Sequence, residues 1–119
     1  MHNSAEPVDI DHFRARLLQA RAALLDLETE RQASSATVEL DQSSVGRLSR
    51  MDALQQQAMA QSIRRRAGEL LRCIDDALGR CVDGSYGACL DCGERIDPRR
   101  LGLDPAVALC IGCAEVRDR

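Results

Sequence analysis

The sequence predicts a mainly α protein: an antiparallel helical hairpin of the coiled-coil kind, followed by a small cysteine-rich module that ends in a short helix. Three observations carry this reading. Aromatic residues are almost absent, with only Phe13 and Tyr86 and no Trp, so there is little to fill a thick globular core, whereas the abundant Ala, Leu, Arg, Gln and Glu are what long helices use. Apolar residues recur at helical spacing in two long stretches. The third observation is the crowding of cysteines into two Cys-x-x-Cys pairs toward the C-terminus.

Taken in order, residues 1–8 read as an N-terminal tail and residues 9–82 as the hairpin. From Ile10 the apolar residues alternate spacings of three and four, through Phe13, Leu17, Ala20, Leu24 and Leu27. That is a heptad seam on an amphipathic helix. Asp9 or Asp11 can cap its start, since a carboxylate accepts the first free backbone N–H groups. Near Ala33 the pattern stops, and Ser34, Ser35, Ser43, Ser44 and Gly46 mark a turn region spanning about 33–47. Periodicity resumes at Leu48, Met51, Leu54 and Met59 and continues through Ile63, Ala67, Leu70, Ile74, Ala77 and Cys81, which makes a second, longer helix. Two helices with one apolar stripe each, joined by a turn, can bury those stripes against one another by folding back. A bundle closed by a further helix is the alternative, although no other segment offers a comparable stripe.

Charge and composition exclude several classes of function. The formal charge is -3 and all sixteen basic residues are Arg, a balance that argues against a general nucleic-acid coat. The first ten residues contain no apolar stretch fit for a signal peptide. The longest apolar run, Ala106 to Ile111, is far too short to span a bilayer. The expected location is therefore the cytoplasm, where thiols stay reduced and six cysteines point to metal rather than disulfides. His2 and His12 are the only histidines, and no nucleophile and base pair is apparent, so an enzyme is not expected.

The module spans residues 83–119. Cys89 and Cys92 form one pair and Cys110 and Cys113 the other, with seventeen residues between them. This spacing suits a tetrahedral zinc site, because each short turn aims two thiolates at one point about 2.3 Å away and the loop brings the second turn opposite the first. One structural zinc ion is expected on these four residues, replacing the core that so short a module lacks. Four thiolates leave no open position for a catalytic water. Buried apolar thiols do not explain two matched pairs, and a redox dithiol needs only one. Cys73 and Cys81, eight residues apart on the second helix, are expected to serve ordinary packing. From Ser85 to Arg119 five Arg face six acidic residues, and four thiolates outweigh the ion's charge, so sequence-specific DNA binding by the finger is not expected.

The run Tyr86-Gly87-Ala88-Cys89-Leu90-Asp91-Cys92-Gly93, with Ile96, Arg99-Arg100-Leu101, Pro105 and Leu109-Cys110-Ile111-Gly112-Cys113, resembles the DksA/TraR family of bacterial transcription regulators. Upstream the likeness is one of architecture, and the early start of the first helix resembles a short, DksA-like member. The resemblance implies a zinc finger and a direct partner in RNA polymerase, with the coiled coil entering the enzyme's secondary channel and acidic tip residues approaching its catalytic magnesium. Asp41 in the turn region and Asp52 at the start of the second helix are the tip candidates. In an ungapped alignment of the fingers, however, the family's two tip aspartates and following alanine meet Gly46, Ser49 and Met51. The same alignment places Cys73, Asp104 and Ala114 where the DksA branch offers basic side chains to guanosine tetraphosphate. Independence from that alarmone is therefore expected, with Arg66 and Arg72 the only nearby compensating cations. The alternative is a zinc-stabilised helical-hairpin interaction module for another protein partner.

Overall fold

The computed structural model describes residues 8–42 and 50–118, without the side chains of 34–42. It contains α1 (Ile10–Gln42), α2 (Arg50–Asp83), α3 (Pro98–Leu103) and α4 (Ile111–Asp118). Among the described residues there is no strand, only an isolated antiparallel bridge between Ala88 and Arg95. No described helix is long and apolar enough to cross a membrane.

Of the two candidate caps for α1, Asp9 is the one used: its carboxylate accepts the His12 N–H at 3.2 Å and its carbonyl accepts the Phe13 N–H at 3.2 Å. At the other end the turn does not begin at Ala33, because α1 continues to Gln42. The physical reason is that residues 10–42 contain neither Gly nor Pro. Once a helix is nucleated, Ser and Thr lower its stability by only a fraction of about 1 kcal/mol each. The remainder of the expected turn, 43–47, lies outside the described residues.

The fold divides into two compact units, Met1–Arg21 with Arg72–Arg119, and Ala22–Leu71. The first holds the main core. Phe13 and Leu17 of α1, Ile74 and Ala77 of α2, and Tyr86, Ile96 and Leu101 of the cysteine module are all buried. The Phe13 and Tyr86 rings stand 5.8 Å apart in a tilted pair. Arg21 Nε meets the Asp75 carboxylate at 2.8 Å, and Arg16 Nη1 donates to the Gly102 carbonyl at 2.7 Å. The beginning of α1 thus pairs with the end of α2, the antiparallel arrangement of a hairpin. Gly84 terminates α2 with φ +88, and both its N–H and that of Tyr86 reach back to the Arg80 carbonyl. A residue with Cβ adopts that left-handed conformation only at a cost.

The second unit repeats the antiparallel pairing. Leu24 shares a groove with Ala67 and Leu71, while Arg31, farther along α1, shares one with Met59, nearer the start of α2. The stripe on α2 here shares only Ala67 with the expected one. Its half-buried positions in this unit are Ala53, Ala60, Ala67 and Leu71, whereas Met51, Leu54, Met59, Ile63 and Leu70 are exposed. Alanines at a seven-residue interval let two backbones come close, which leaves the larger apolar side chains on the flanks. On α1 the half-buried positions are Leu24, Glu28 and Arg31, while Leu27 is 45% exposed. At about 100° per residue, position 28 lies some 40° from position 24 and position 27 some 60° on the other side. The inward face follows the former.

Candidate metal centre

Each turn of the module is set by local chemistry. Past Gly84, the Asp83 carboxylate accepts the Ser85 N–H at 2.8 Å and its hydroxyl at 2.6 Å, bonds that favour the charged form and hold its pKa below the usual range. Gly87 follows at φ +94, and a Cβ there would stand 3.0 Å from Val8 Cγ2. The chain then makes a tight loop. The Ile96 N–H donates to the Gly87 carbonyl at 2.8 Å, the Cys89 N–H to Glu94 at 2.8 Å and the Gly93 N–H to Cys89 at 2.9 Å, with Gly93 at φ +78. This loop aims Cys89 and Cys92.

The second pair is delivered by two short helices. Asp97 caps α3 by accepting the Arg99 N–H at 2.9 Å, and Pro98 occupies the first position, where a missing N–H does no harm. Leu101 is buried beneath α3, and Arg100 Nε holds the Leu109 carbonyl at 2.9 Å, fixing the backbone just before Cys110. Cys110 immediately precedes α4; its carbonyl accepts the Ala114 N–H at 2.9 Å and its sulfur accepts the Cys113 N–H at 3.5 Å. The two halves are tied by the Leu90 N–H on the Ala108 carbonyl at 2.9 Å and by the Tyr86 hydroxyl on Pro105 at 2.7 Å. A two-pronged ion pair, Arg117 on Asp91 at 2.7 and 3.0 Å, clamps α4 to the first cysteine turn. Charge pattern alone does not reveal that clamp, because Arg117 and Asp91 are 26 residues apart.

The four sulfurs converge: Cys89, Cys92, Cys110 and Cys113 have all their ligand atoms within 4.8 Å of one another. A regular tetrahedron with bonds of about 2.3 Å has edges of about 3.8 Å. The Cys92 and Cys110 sulfurs are 3.8 Å apart. The electrostatics agree with that fit. Burial opposes ionisation of Cys89, yet hydrogen bonds from the backbone amides of Cys110, Cys92 and Asp91 outweigh it and bring the thiol down to about 6. Cys113 is pushed up to about 12, chiefly by hydrogen bonds to the Cys110 and Cys89 thiols. Four thiols this close cannot all become thiolates unless a cation offsets their mutual repulsion, and a divalent ion supplies that cation. The four cysteines are thus positioned to bind one metal ion.

The other expected residues are not brought to this centre. Asp41 lies near the end of α1 with its side chain outside the described residues, and Asp52 sits exposed in the first turn of α2. Gly46 and Ser49 are outside the described residues, and Met51 is exposed on α2. Cys73 is exposed rather than packed, whereas its neighbours on α2, Ile74 and Ala77, enter the core. Cys81 is half-buried, and burial raises its pKa.

Residues 84–119 match the prokaryotic dksA/traR C4-type zinc finger family. Among solved structures, the chain is similar to the transcription factor DksA2 from Pseudomonas aeruginosa, with 29% identity, TM-score 0.74, and coverage of 92% of this chain and 82% of that one. It also shares its fold with the RNA polymerase binding protein and transcriptional regulator Dks from Chlamydia trachomatis L2, at 21% identity and TM-score 0.55, over 99% of this chain and 92% of that one. A comparison with curated proteins finds no match. The C4 zinc finger family accounts for the cysteine module, residues 84–119, and the likeness to the DksA2 structure runs over 92% of the chain.

Proposed function

We propose that this protein is a transcription regulator, not an enzyme, that binds RNA polymerase directly in the cytoplasm, and that its helical hairpin enters the secondary channel of the enzyme. The similarity to the transcription factor DksA2 across 92% of the chain carries this reading. Zinc held by Cys89, Cys92, Cys110 and Cys113 has a structural task, to fold the finger; with the coordination shell filled by thiolates, it has no open position for chemistry. The finger does not read DNA, because its acidic balance and its thiolate cluster oppose phosphate binding. Asp41 and Asp52 act at the hairpin tip, where carboxylates perturb a metal-centred site electrostatically.

The regulator works without guanosine tetraphosphate. Cys73 and Asp104 are both exposed and Ala114 is half-buried, and none of the three offers a cation to a phosphate, whose strong contacts are charge-assisted. The test is capture of purified RNA polymerase by the zinc-loaded protein, followed by transcription in vitro with and without the alarmone. Expected are direct binding, an effect on initiation that the alarmone leaves unchanged, and a weakened effect with retained binding for Asp41→Asn and Asp52→Asn. Failure to capture polymerase would leave the interaction module with another protein partner as the better reading. Strong synergy with the alarmone, abolished by Arg66→Ala or Arg72→Ala, would show that those arginines rebuild the anion site.

A further inference from the structure

Along one flank of the α1/α2 seam in the unit Ala22–Leu71 runs an open groove of about 350 Å³. Its floor is apolar, with Met59 65%, Ile63 40% and Leu70 50% exposed. From Met59 to Leu70 it extends about 16 Å, or three helical turns. The charged side chains on its rim are both cations, Arg31 and Arg66. Arg31 is partly satisfied by Glu28 at 3.3 Å. Arg66 makes no hydrogen bond or ion pair with any described residue, and neither do its exposed neighbours Arg64 and Arg65. The opposite flank differs: it is smaller, about 120 Å³, and its lining carries one anion, Glu28, and one cation, Arg64.

We propose that this groove docks an acidic amphipathic helix of a partner protein. Arg66, with no partner among the described residues, and Arg31, shared with Glu28, stand beside an apolar floor and select an occupant that is negative on its flanks and apolar on one stripe. The concave space between two packed helices fits a third cylinder, whose backbone groups are already satisfied internally. A phosphate backbone has no apolar stripe to place against Met59, Ile63 and Leu70. Leucines at positions i, i+3, i+4 and i+7 of the incoming helix lie on those three residues, and glutamates beside them face Arg66. The docking does not require that the partner be polymerase.

The test is fluorescence anisotropy of the full, zinc-loaded chain with a labelled, helix-stabilised peptide carrying that leucine pattern and Glu elsewhere. The acidic peptide binds, a version with Lys in place of Glu does not, and added salt weakens the complex. Arg66→Glu lowers affinity about tenfold or more and lets the Lys peptide bind instead; Ile63→Ala lowers it about tenfold. Both substitutions are on the surface, and circular dichroism verifies that the helices persist. Equal binding of both peptides, no binding at all, or indifference to both substitutions overturns the proposal. So does tighter, substitution-sensitive binding of a DNA duplex or of phosphatidylglycerol vesicles. Polymerase affinity measured in parallel keeps the two readings apart: a chain that binds the peptide but not polymerase sinks only the function proposed above, and a chain that binds polymerase but not the peptide sinks only the groove.

Discussion

Tyr86 shows at the residue scale how one side chain does several jobs. Its ring is buried beside Phe13, and its hydroxyl donates to the Pro105 carbonyl at 2.7 Å. Removing the hydroxyl in Tyr86→Phe should cost about 1 kcal/mol, read as a lower thermal midpoint of the zinc-loaded protein. Burial pushes the phenol pKa up from 10 to about 12, with the Cys81 charge adding to it. The fold therefore favours the protonated form. Stability from this group is fully present below pH 10 and is lost as pH rises toward about 12. The parent should lose more stability than Tyr86→Phe between pH 10 and 12, and identical alkaline melting of the two would refute the assignment. Gly87 is a second such position. At φ +94, with Val8 Cγ2 3.0 Å from any added Cβ, Gly87→Ala meets both backbone strain and contact. A loss of roughly 1–3 kcal/mol is expected, and denaturant titration measures it. The sequence shows the glycines beside the cysteines; which of them needs a positive φ is decided by the loop's hydrogen bonds.

At the scale of elements, α1 tests the heptad reading directly. Leu17 is fully buried and Leu27 is 45% exposed, although both belong to the same series of spacings. Leu17→Ala should cost about 2–5 kcal/mol, the range for a leucine removed from a packed core. Leu27→Ala should change stability by less than about 0.5 kcal/mol. Equal effects in paired thermal melts would return Leu27 to the seam. On α2, periodicity correctly identified the inward face at Ile74 and Ala77, both of which are buried. From Met51 to Leu70 it placed only Ala67 correctly, because alanines, not the largest apolar residues, occupy the half-buried positions there. Hydrophobicity ranks residues by what they gain from burial, but close backbones admit them by size.

For the whole molecule, the consequential step is metal binding. The four cysteines all belong to the unit that includes the finger, and the unit Ala22–Leu71 holds none of them. Chelating the zinc, or making Cys110→Ser, should therefore disorder the loop, α3 and α4 while much of the α1 and α2 signal in far-UV circular dichroism remains. Elemental analysis should give one zinc per parent chain. A metal-free protein whose finger resists proteolysis as well as the loaded one would contradict this. Because Phe13, Leu17, Ile74 and Leu101 form one core, loss of zinc should also lower the thermal midpoint of the helices that share it.

The sequence by itself determined the helical class, the antiparallel pairing, the four clustered cysteines and the likeness of the finger to the dksA/traR type. Each of these rests on local or strictly periodic information: spacing sets which residues share a helix face, and a Cys-x-x-Cys turn sets where two sulfurs point. The tertiary structure decided what depends on partners distant along the chain. It extended α1 to Gln42, exposed Leu27, Met59 and Cys73, and buried Ile96 and Leu101. It also joined Arg117 to Asp91 and Leu90 to Ala108 across the cysteine centre. Such contacts form between groups that no short window of sequence contains together, and their energies appear only once the chain has brought them within reach.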